Sequence, residues 1–546
     1  MLTLLSYERL TEHYRDGFWN DDTIYALVAT HAARTPDRVA FRDAARTLTY
    51  AELVTAVDRF AADLAARGVR AGDRVAVWLP SRAEVAIAFL AASRNGYVCC
   101  PSLHRDHTVA NVVELIDRMR AVAVVVEPGY GADADRRNLA VLLEQSPTVR
   151  HVYQLPARAS LRTNGAVANR PPKSDPNIVV YLAFTSGTTG EPKGVMHSDN
   201  TLLANAIAIA TDWKLGPASV IYSISPLSHN LGLGSMIMAF AAGAEFIVHD
   251  LPKGASLVDR LIATGATFLV GVPTHAFDLL GELQNRGLST LGNVRGFRIS
   301  GAPASKDVVA GLLERGVMPQ SGYGMTEAGS HHYTHPDDDP RFVLETSGRA
   351  CRGYEVRIFD QDDPDRELAQ GEAGQIGGRG ASLMLGYFDA QFITEEAFNR
   401  SGWFLTGDVG WLDEHGYLHV TGRKKDLIIR GGHNIYPAPI EAMAMRHDAV
   451  ERAVAVPVPD ERLGEKVGIA VMLRPGRELT ATELLAHLDA AGLSKFDMPE
   501  YYLTVSDIPL TASGKIRKLD VVEQIRDGLL VPTPVRWNDA MRTTTP

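Results

Sequence analysis

The chain has 546 residues, too many for one hydrophobic core, so two or more domains are expected. Its 45% apolar and 22% charged content is that of a globular protein with a packed interior. A formal net charge of −10 disfavours non-specific attachment to nucleic acid or to an anionic membrane surface.

Three cysteines, Cys99, Cys100 and Cys351, cannot build a disulfide framework, which fits a reducing compartment. Glu8, Glu12 and Asp16 are wrong for a signal peptide. The apolar stretch from Ser235 to Val248 contains Glu245 and is too short to span a bilayer. A cytoplasmic protein without a membrane span and without a nucleic-acid partner is expected.

Asp22 to Arg34 reads as a capped helix, Val39 to Arg42 as a short strand, and Tyr50 to Ala66 as a helix by its apolar spacing. Val75 to Leu79 reads as a buried strand, Glu84 to Arg94 as a helix, and Ala121 to Val126 as a strand. Such alternation predicts a mostly parallel α/β sheet. Pro156 to Pro176, rich in Pro, Arg, Asn and Ser, reads as a surface loop. The α/β alternation continues to residue 350. From Gly371 to Val420 short, Gly-punctuated strands predict a small barrel-like or antiparallel unit. The rest suffices for a small α+β domain, so the boundary is placed between 424 and 425. The Pro/Thr-rich tail from Pro532 is expected to be poorly ordered.

The most informative segment is Thr185 to Gly194, behind the apolar run Ile178 to Phe184. Gly187, Gly190 and Gly194 allow close backbone approach to a ligand, and successive N–H groups in such a turn form an anion-binding concavity. Thr185, Ser186, Thr188 and Thr189 add hydroxyl donors and Lys193 a positive charge, which together suit a polyphosphate. It is not the usual P-loop, because no hydroxyl follows the lysine.

Three further segments carry chemistry. In Ser321-Gly322-Tyr323-Gly324-Met325-Thr326-Glu327, an aromatic between glycines can lie against a nucleobase, and Glu327 offers a hard oxygen to Mg2+. Thr406-Gly407-Asp408 followed by Gly422-Arg423-Lys424-Lys425-Asp426 supplies a carboxylate for ribose hydroxyls and an arginine for phosphate or ribose oxygens. Pro509 to Lys515 is a loop presenting one lysine. Read alone, each of the last two is an ordinary solvated loop.

In this order the four segments resemble the adenylate-forming (AMP-binding) superfamily: acyl-CoA synthetases, luciferases and peptide-synthetase adenylation domains. The resemblance covers essentially the whole chain. It looks most like ligases for medium-chain, cyclic alkyl or aromatic acids, such as the cyclohexanecarboxylate–CoA ligases. It implies a large N-terminal domain of parallel α/β subdomains with a small β-barrel-like unit (1–424, binding ATP and the acyl group). A small, mobile α+β C-terminal domain (425–546) carries the catalytic lysine.

The implied roles follow the motifs. Ser186, Gly187, Thr188, Thr189, Gly190 and Lys193, with Thr185, hold the ATP phosphates, and Thr188 shares in catalysis. Gly301, Ala302 and Pro303 border adenine, on which Tyr323 packs, with Gly324, Met325 and Thr326 beside it. Glu327 holds Mg2+, Asp408 the ribose, and Arg423 lies between the domains. Lys425 occupies the hinge, Lys515 is the catalytic lysine, and Gly431 and Gly432 line the CoA path. His229, Gly322 and Gly324 border the acyl site, where His229 acts as a gate or, equally, is an ordinary core histidine. One departure is Ser321, where relatives often carry Gln or Asn.

The expected activity is ATP-dependent activation of a carboxylic acid and transfer to CoA. Transfer to a separate carrier protein and a non-catalytic acyl-nucleotide-binding module are the alternatives. Ser228 to Leu231 offer no carboxylate for a substrate amine, so a plain acid is expected, with no charged group in its pocket. A homodimer is left open. His331, His332, His335 and Asp337 to Asp339 are read as a solvated loop in preference to a metal site.

Overall fold

A computed structural model describes residues 5–537 except 157–160, 162–174, 186–191, 253, 302–303, 432 and 511–515. The expected site residues Ser186, Gly187, Thr188, Thr189, Gly190, Ala302, Pro303, Gly432 and Lys515 lie outside the described residues. The chain divides into two compact units, 1–356 with 378–404, and 357–377 with 405–546.

Among the described residues the first unit holds two large sheets. The nine-stranded sheet runs in the order Arg349–Ala350, Gly329–Tyr333, Met318–Met325, Gly296–Ser300, Phe268–Gly271, Val220–Ser223, Glu245–Val248, Val39–Arg42, Thr47–Thr49. Its central pairings are parallel and its edges antiparallel. The seven-stranded sheet runs Gly386–Tyr387, Lys193–Ser198, Val179–Thr185, Val98–Cys100, Arg74–Trp78, Ala121–Val126, His151–Gln154. It too is parallel, except around Lys193–Ser198.

Local chemistry sets the elements. Tyr50–Ala66 starts at a capping box, with Thr49 accepting from the Glu52 amide and the Glu52 carboxylate accepting in return. The expected helix from Asp22 begins at Ile24, because Thr23 is the residue that caps it. Ala83–Asn95 is buried over nearly its whole circumference, as a helix enclosed by protein must be. Gly96, at φ 72°, ends it. It shares one core with Asn230–Ala242 and with apolar side chains of both sheets, among them Phe41, Phe246, Val77 and Tyr181.

The second unit carries most of a four-stranded sheet (Tyr354–Phe359, Gly374–Gly380, Phe404–Leu412, Leu418–Arg423). It also holds a six-stranded sheet built on the long hairpin Val450–Asp460 and Gly464–Leu473. Helices Pro437–Ala444 and Ala481–Ala490 cover the latter with Ile440, Leu484 and Leu488. The tail departs from expectation. Thr533–Pro534 pairs with Tyr501 and Tyr502, and the Val535 amide donates to Glu500 O, so backbone pairing orders residues 533–535, while 538–546 lie outside the described residues.

Candidate active site

In the first unit, strand Val179–Thr185 returns as Lys193–Ser198, and Thr185 and Lys193 are direct cross-strand partners. The ends of the Gly/Ser/Thr turn are thereby tied, with the Thr185 hydroxyl 3.5 Å from Lys193 O. The Lys193 ammonium stands 4.9 Å from the ring centroid of Tyr387.

Tyr387 also donates its hydroxyl to Glu327 Oε1 at 2.8 Å. Burial and this carboxylate push the phenol's pKa far up, so it remains a donor. The Glu327 backbone is held as well, its carbonyl accepting from the Met384 amide at 2.7 Å. One ring therefore connects Lys193, the expected phosphate ligand, to Glu327, the expected metal ligand.

The turn before Glu327 has a second anchor. His197 Nε2 lies 2.7 Å from the Thr326 carbonyl, which can only accept, so Nε2 carries the proton. Burial lowers this histidine's pKa to about 4, so the ring is neutral. Neither Tyr387 nor His197 stands in the motifs, and no local pattern marks either one.

Tyr323 is half-buried, with His331 edge-on at 5.0 Å and His332 at 6.2 Å between ring centroids. Both histidines are fully buried on strand Gly329–Tyr333, which corrects the solvated-loop reading. Their Nδ1 atoms are 2.8 Å apart, so one donates and the other accepts, and burial pushes the pKa of His331 down to about 3. Of the same cluster Asp337 is exposed, while Asp338 pairs with Arg349 at 3.0 Å. Gly324 is a steric requirement of this hairpin, since a Cβ there would lie 2.1 Å from Gly329 O. Gly322 differs, meeting nothing nearer than 3.6 Å. Gly301, exposed and at φ 95°, follows Ser300, whose hydroxyl donates to Gly322 O at 3.0 Å.

His229 caps helix Asn230–Ala242, its Nδ1 accepting from the Leu231 amide at 3.2 Å. The preceding Ser228 hydroxyl is 3.1 Å from Nδ1 of His104, a neighbouring ring.

In the second unit, Asp408 and Arg423 face each other across Phe404–Leu412 and Leu418–Arg423, with Nε 3.2 Å from Oδ1. Asp408 is buried and Arg423 about half-exposed. The Thr406 hydroxyl accepts from the Asp408 amide and donates to Ile376 O, shaping the Thr-Gly-Asp turn. Lys425 is exposed in the short 3-10 helix Lys424–Asp426. Gly431, at φ 58°, donates its amide to Leu463 O. Leu510 and Ile516, on either side of the undescribed residues 511–515, form an isolated antiparallel bridge.

The fold and the family it matches are those of an adenylate-forming acyl-CoA ligase, an AMP-forming enzyme that uses ATP and CoA. The chain belongs to the AMP-binding enzyme family: that family's sequence profile matches residues 28–388, and the AMP-binding enzyme C-terminal domain matches 439–515. It is 30% identical over 530 residues to the medium-chain fatty-acid–CoA ligase of Escherichia coli (strain K12), covering 95% of this chain and 93% of that one. It is also 30% identical over 539 residues to the salicyl-AMP ligase / salicyl-S-ArCP synthetase of Mycobacterium tuberculosis, covering 95% and 93%. The ATP-bound crystal structure of MatB from Rhodopseudomonas palustris superimposes with a TM-score of 0.83 at 29% identity, over 93% of this chain and 100% of that one.

Proposed function

We propose that the chain condenses a carboxylic acid with ATP to an acyl-adenylate and pyrophosphate, then transfers the acyl group to CoA with release of AMP. The observation that carries this reading is the Lys193–Tyr387–Glu327 contact, which sets a phosphate-binding cation beside a carboxylate.

Lys193 and the 185–190 turn bind the β- and γ-phosphates, Tyr323 and the segment from Gly301 receive adenine, and Asp408 takes the ribose hydroxyls. Attack at phosphorus needs charge neutralisation and alignment more than covalent help, and these side chains supply both. Glu327 is the residue that would hold Mg2+. Among the described residues no group of three or more His, Cys, Asp or Glu could hold a metal, and one carboxylate plus substrate phosphates is how Mg2+ is usually bound. When bound, that ion supplies charge neutralisation at the phosphates.

Lys515 serves the adenylating step, residues 425–546 move about Lys425 between steps, and Gly431 and Gly432 line the thiol's path. His229 borders the acyl group. Buried, free Cys99, Cys100 and Cys351 support a reducing, cytoplasmic compartment, with which a homodimer is compatible.

The test is a panel of carboxylic acids in pyrophosphate exchange and in AMP release, with and without CoA. Exchange with CoA-dependent release is expected. Exchange without CoA turnover would transfer the second step to a carrier protein, and no exchange with any acid would refute the reading.

A further inference from the structure

A buried cation lies beneath the face on which Gly322 sits. Arg298, in strand Gly296–Ser300, is only 3% exposed, yet no carboxylate among the described residues is within ion-pair distance of it. Among the described residues its one hydrogen bond runs from Nη1 to Gln320 Oε1 at 3.3 Å, across the ladder where Arg298 and Gln320 are register partners. Nε of Arg298 and Nε2 of Gln320 are both buried without a partner. The amide orientation follows from chemistry: a guanidinium has no acceptor, so it must face Oε1, which turns the Gln320 NH2 elsewhere. Two unsatisfied donors, one charged, therefore stand side by side in the interior. Burial pulls the Arg298 pKa down to about 10, which leaves it cationic at neutral pH.

An isolated buried charge is among the costliest features a fold can carry, so it calls for an anion. The surrounding ladder shows where one would enter. Side chains two residues apart in a strand share a face, so Ser300 and its partner Gly322 lie one step above Arg298 and Gln320. Gly322 leaves its half of that upper step without a side chain, and the other half carries only the small Ser300. The step below is closed, since a Cβ on Gly296 would meet Phe268 at 2.7 Å and Trp213 at 3.0 Å. Tyr333 forms a wall, with the Arg298 cation 5.9 Å from its ring and its hydroxyl committed to Asp212. The face thus carries only small residues toward the strand ends, where the nucleotide is proposed to bind, and is blocked at its other end.

We propose that Arg298 and Gln320 form an anion subsite at the closed end of the acyl pocket, and that the preferred substrate is a diacid whose far carboxylate docks there. This rests on the acyl-adenylate reading above. With Nη1 engaged by Gln320, the guanidinium's Nε side remains to grip a carboxylate in the forked manner that lysine cannot reproduce. The sequence alone led to an uncharged pocket, because Arg298 sits inside the apolar strand pattern Gly296-Phe297-Arg298-Ile299.

The experiment compares chain-matched acids in pyrophosphate exchange: adipate, pimelate and suberate against hexanoate, heptanoate and octanoate. The diacids should lead in kcat/KM by about 100-fold or more, because a site with unpaired buried donors rejects the analogue lacking their partner. Arg298→Met should collapse that ratio, and Arg298→Lys should restore only part of it. Wild-type activity with monoacids equal to or above that with diacids overturns the subsite while leaving the ligase reading in place, even if no variant folds. An unchanged ratio in folded Arg298→Met also overturns it. No exchange with any acid refutes the ligase reading and the subsite with it.

Discussion

Tyr387→Phe isolates one atom of the site. It deletes the hydroxyl that donates to Glu327 Oε1 at 2.8 Å and keeps the ring over which the Lys193 ammonium stands. A hydrogen bond to a charged group contributes about 1.5–3 kcal/mol. Loss of a residue that orients a metal ligand typically costs about 10–100-fold in metal affinity or activity, which is the same range. The half-saturating Mg2+ concentration for pyrophosphate exchange should therefore rise by about 10–100-fold, with a much smaller change in the ATP requirement. Tyr387→Leu should raise both, because the ring contact of about 0.5–2 kcal/mol with Lys193 is lost as well. The assay is exchange over a Mg2+ titration at saturating ATP, then over ATP at saturating Mg2+. A Tyr387→Phe enzyme with the parental Mg2+ midpoint would show that the hydroxyl does not orient a metal-binding carboxylate.

Lys193→Ala should raise the ATP requirement without changing the ranking of acids, and an unshifted ATP curve would remove Lys193 from the phosphate site. Lys515→Ala should lose pyrophosphate exchange by orders of magnitude yet still convert prepared acyl-adenylate and CoA to thioester, while Lys425→Pro, by fixing φ at the hinge, should do the reverse. Equal damage to both half-reactions in both variants would exclude a moving C-terminal domain. His197 is buried with its pKa lowered from 6.5 to about 4, so between those values the unfolded chain binds the proton and the folded chain does not. Stability should fall as pH drops through this window, by about 3 kcal/mol from this ring alone. His197→Gln should flatten urea-unfolding stability between pH 6.5 and 4 by close to one proton's slope, and an unchanged slope would contradict its burial.

What was legible in the sequence was what is local. Tyr50–Ala66 and Ala121–Val126 have the expected bounds, because apolar period and capping residues lie within the segments themselves. The strand expected at Ile178 to Phe184 is offset by one residue, at Val179–Thr185. The motif segments stand out in the sequence through their glycine, hydroxyl and lysine spacing, and their roles come from the family resemblance. His331 and His332 were misjudged from their neighbours: the acids and prolines that follow are solvated, whereas the histidines are buried by pairing with strand Met318–Met325. Tyr387 and Arg298 were missed for a related reason. Each gains its meaning from a partner brought by the fold, Glu327 for one and Gln320 for the other.

Residues 382–387 do more than supply a phenol. The Ser382 hydroxyl donates to Ala328 O and the Met384 amide to Glu327 O, just beyond strand Met318–Met325 of the nine-stranded sheet. A few positions later, Gly386 and Tyr387 pair with Met196 and Val195 of the seven-stranded sheet. This short segment is a clasp between the two halves of the first unit, and the nucleotide's proposed contacts, Lys193 on one half and Glu327 on the other, straddle the same seam. Binding and clasping are then thermodynamically linked: whatever free energy Mg–ATP gains from both contacts is also withheld from any motion that parts the sheets. At a ligand concentration of 100 times Kd that amounts to about 2.7 kcal/mol. It would register as slowed amide exchange at Met384 and Leu385, neither of which belongs to the proposed nucleotide contacts. Loosening the clasp should correspondingly weaken nucleotide binding, so this seam is where adenylation and the endurance of the fold draw on the same interactions.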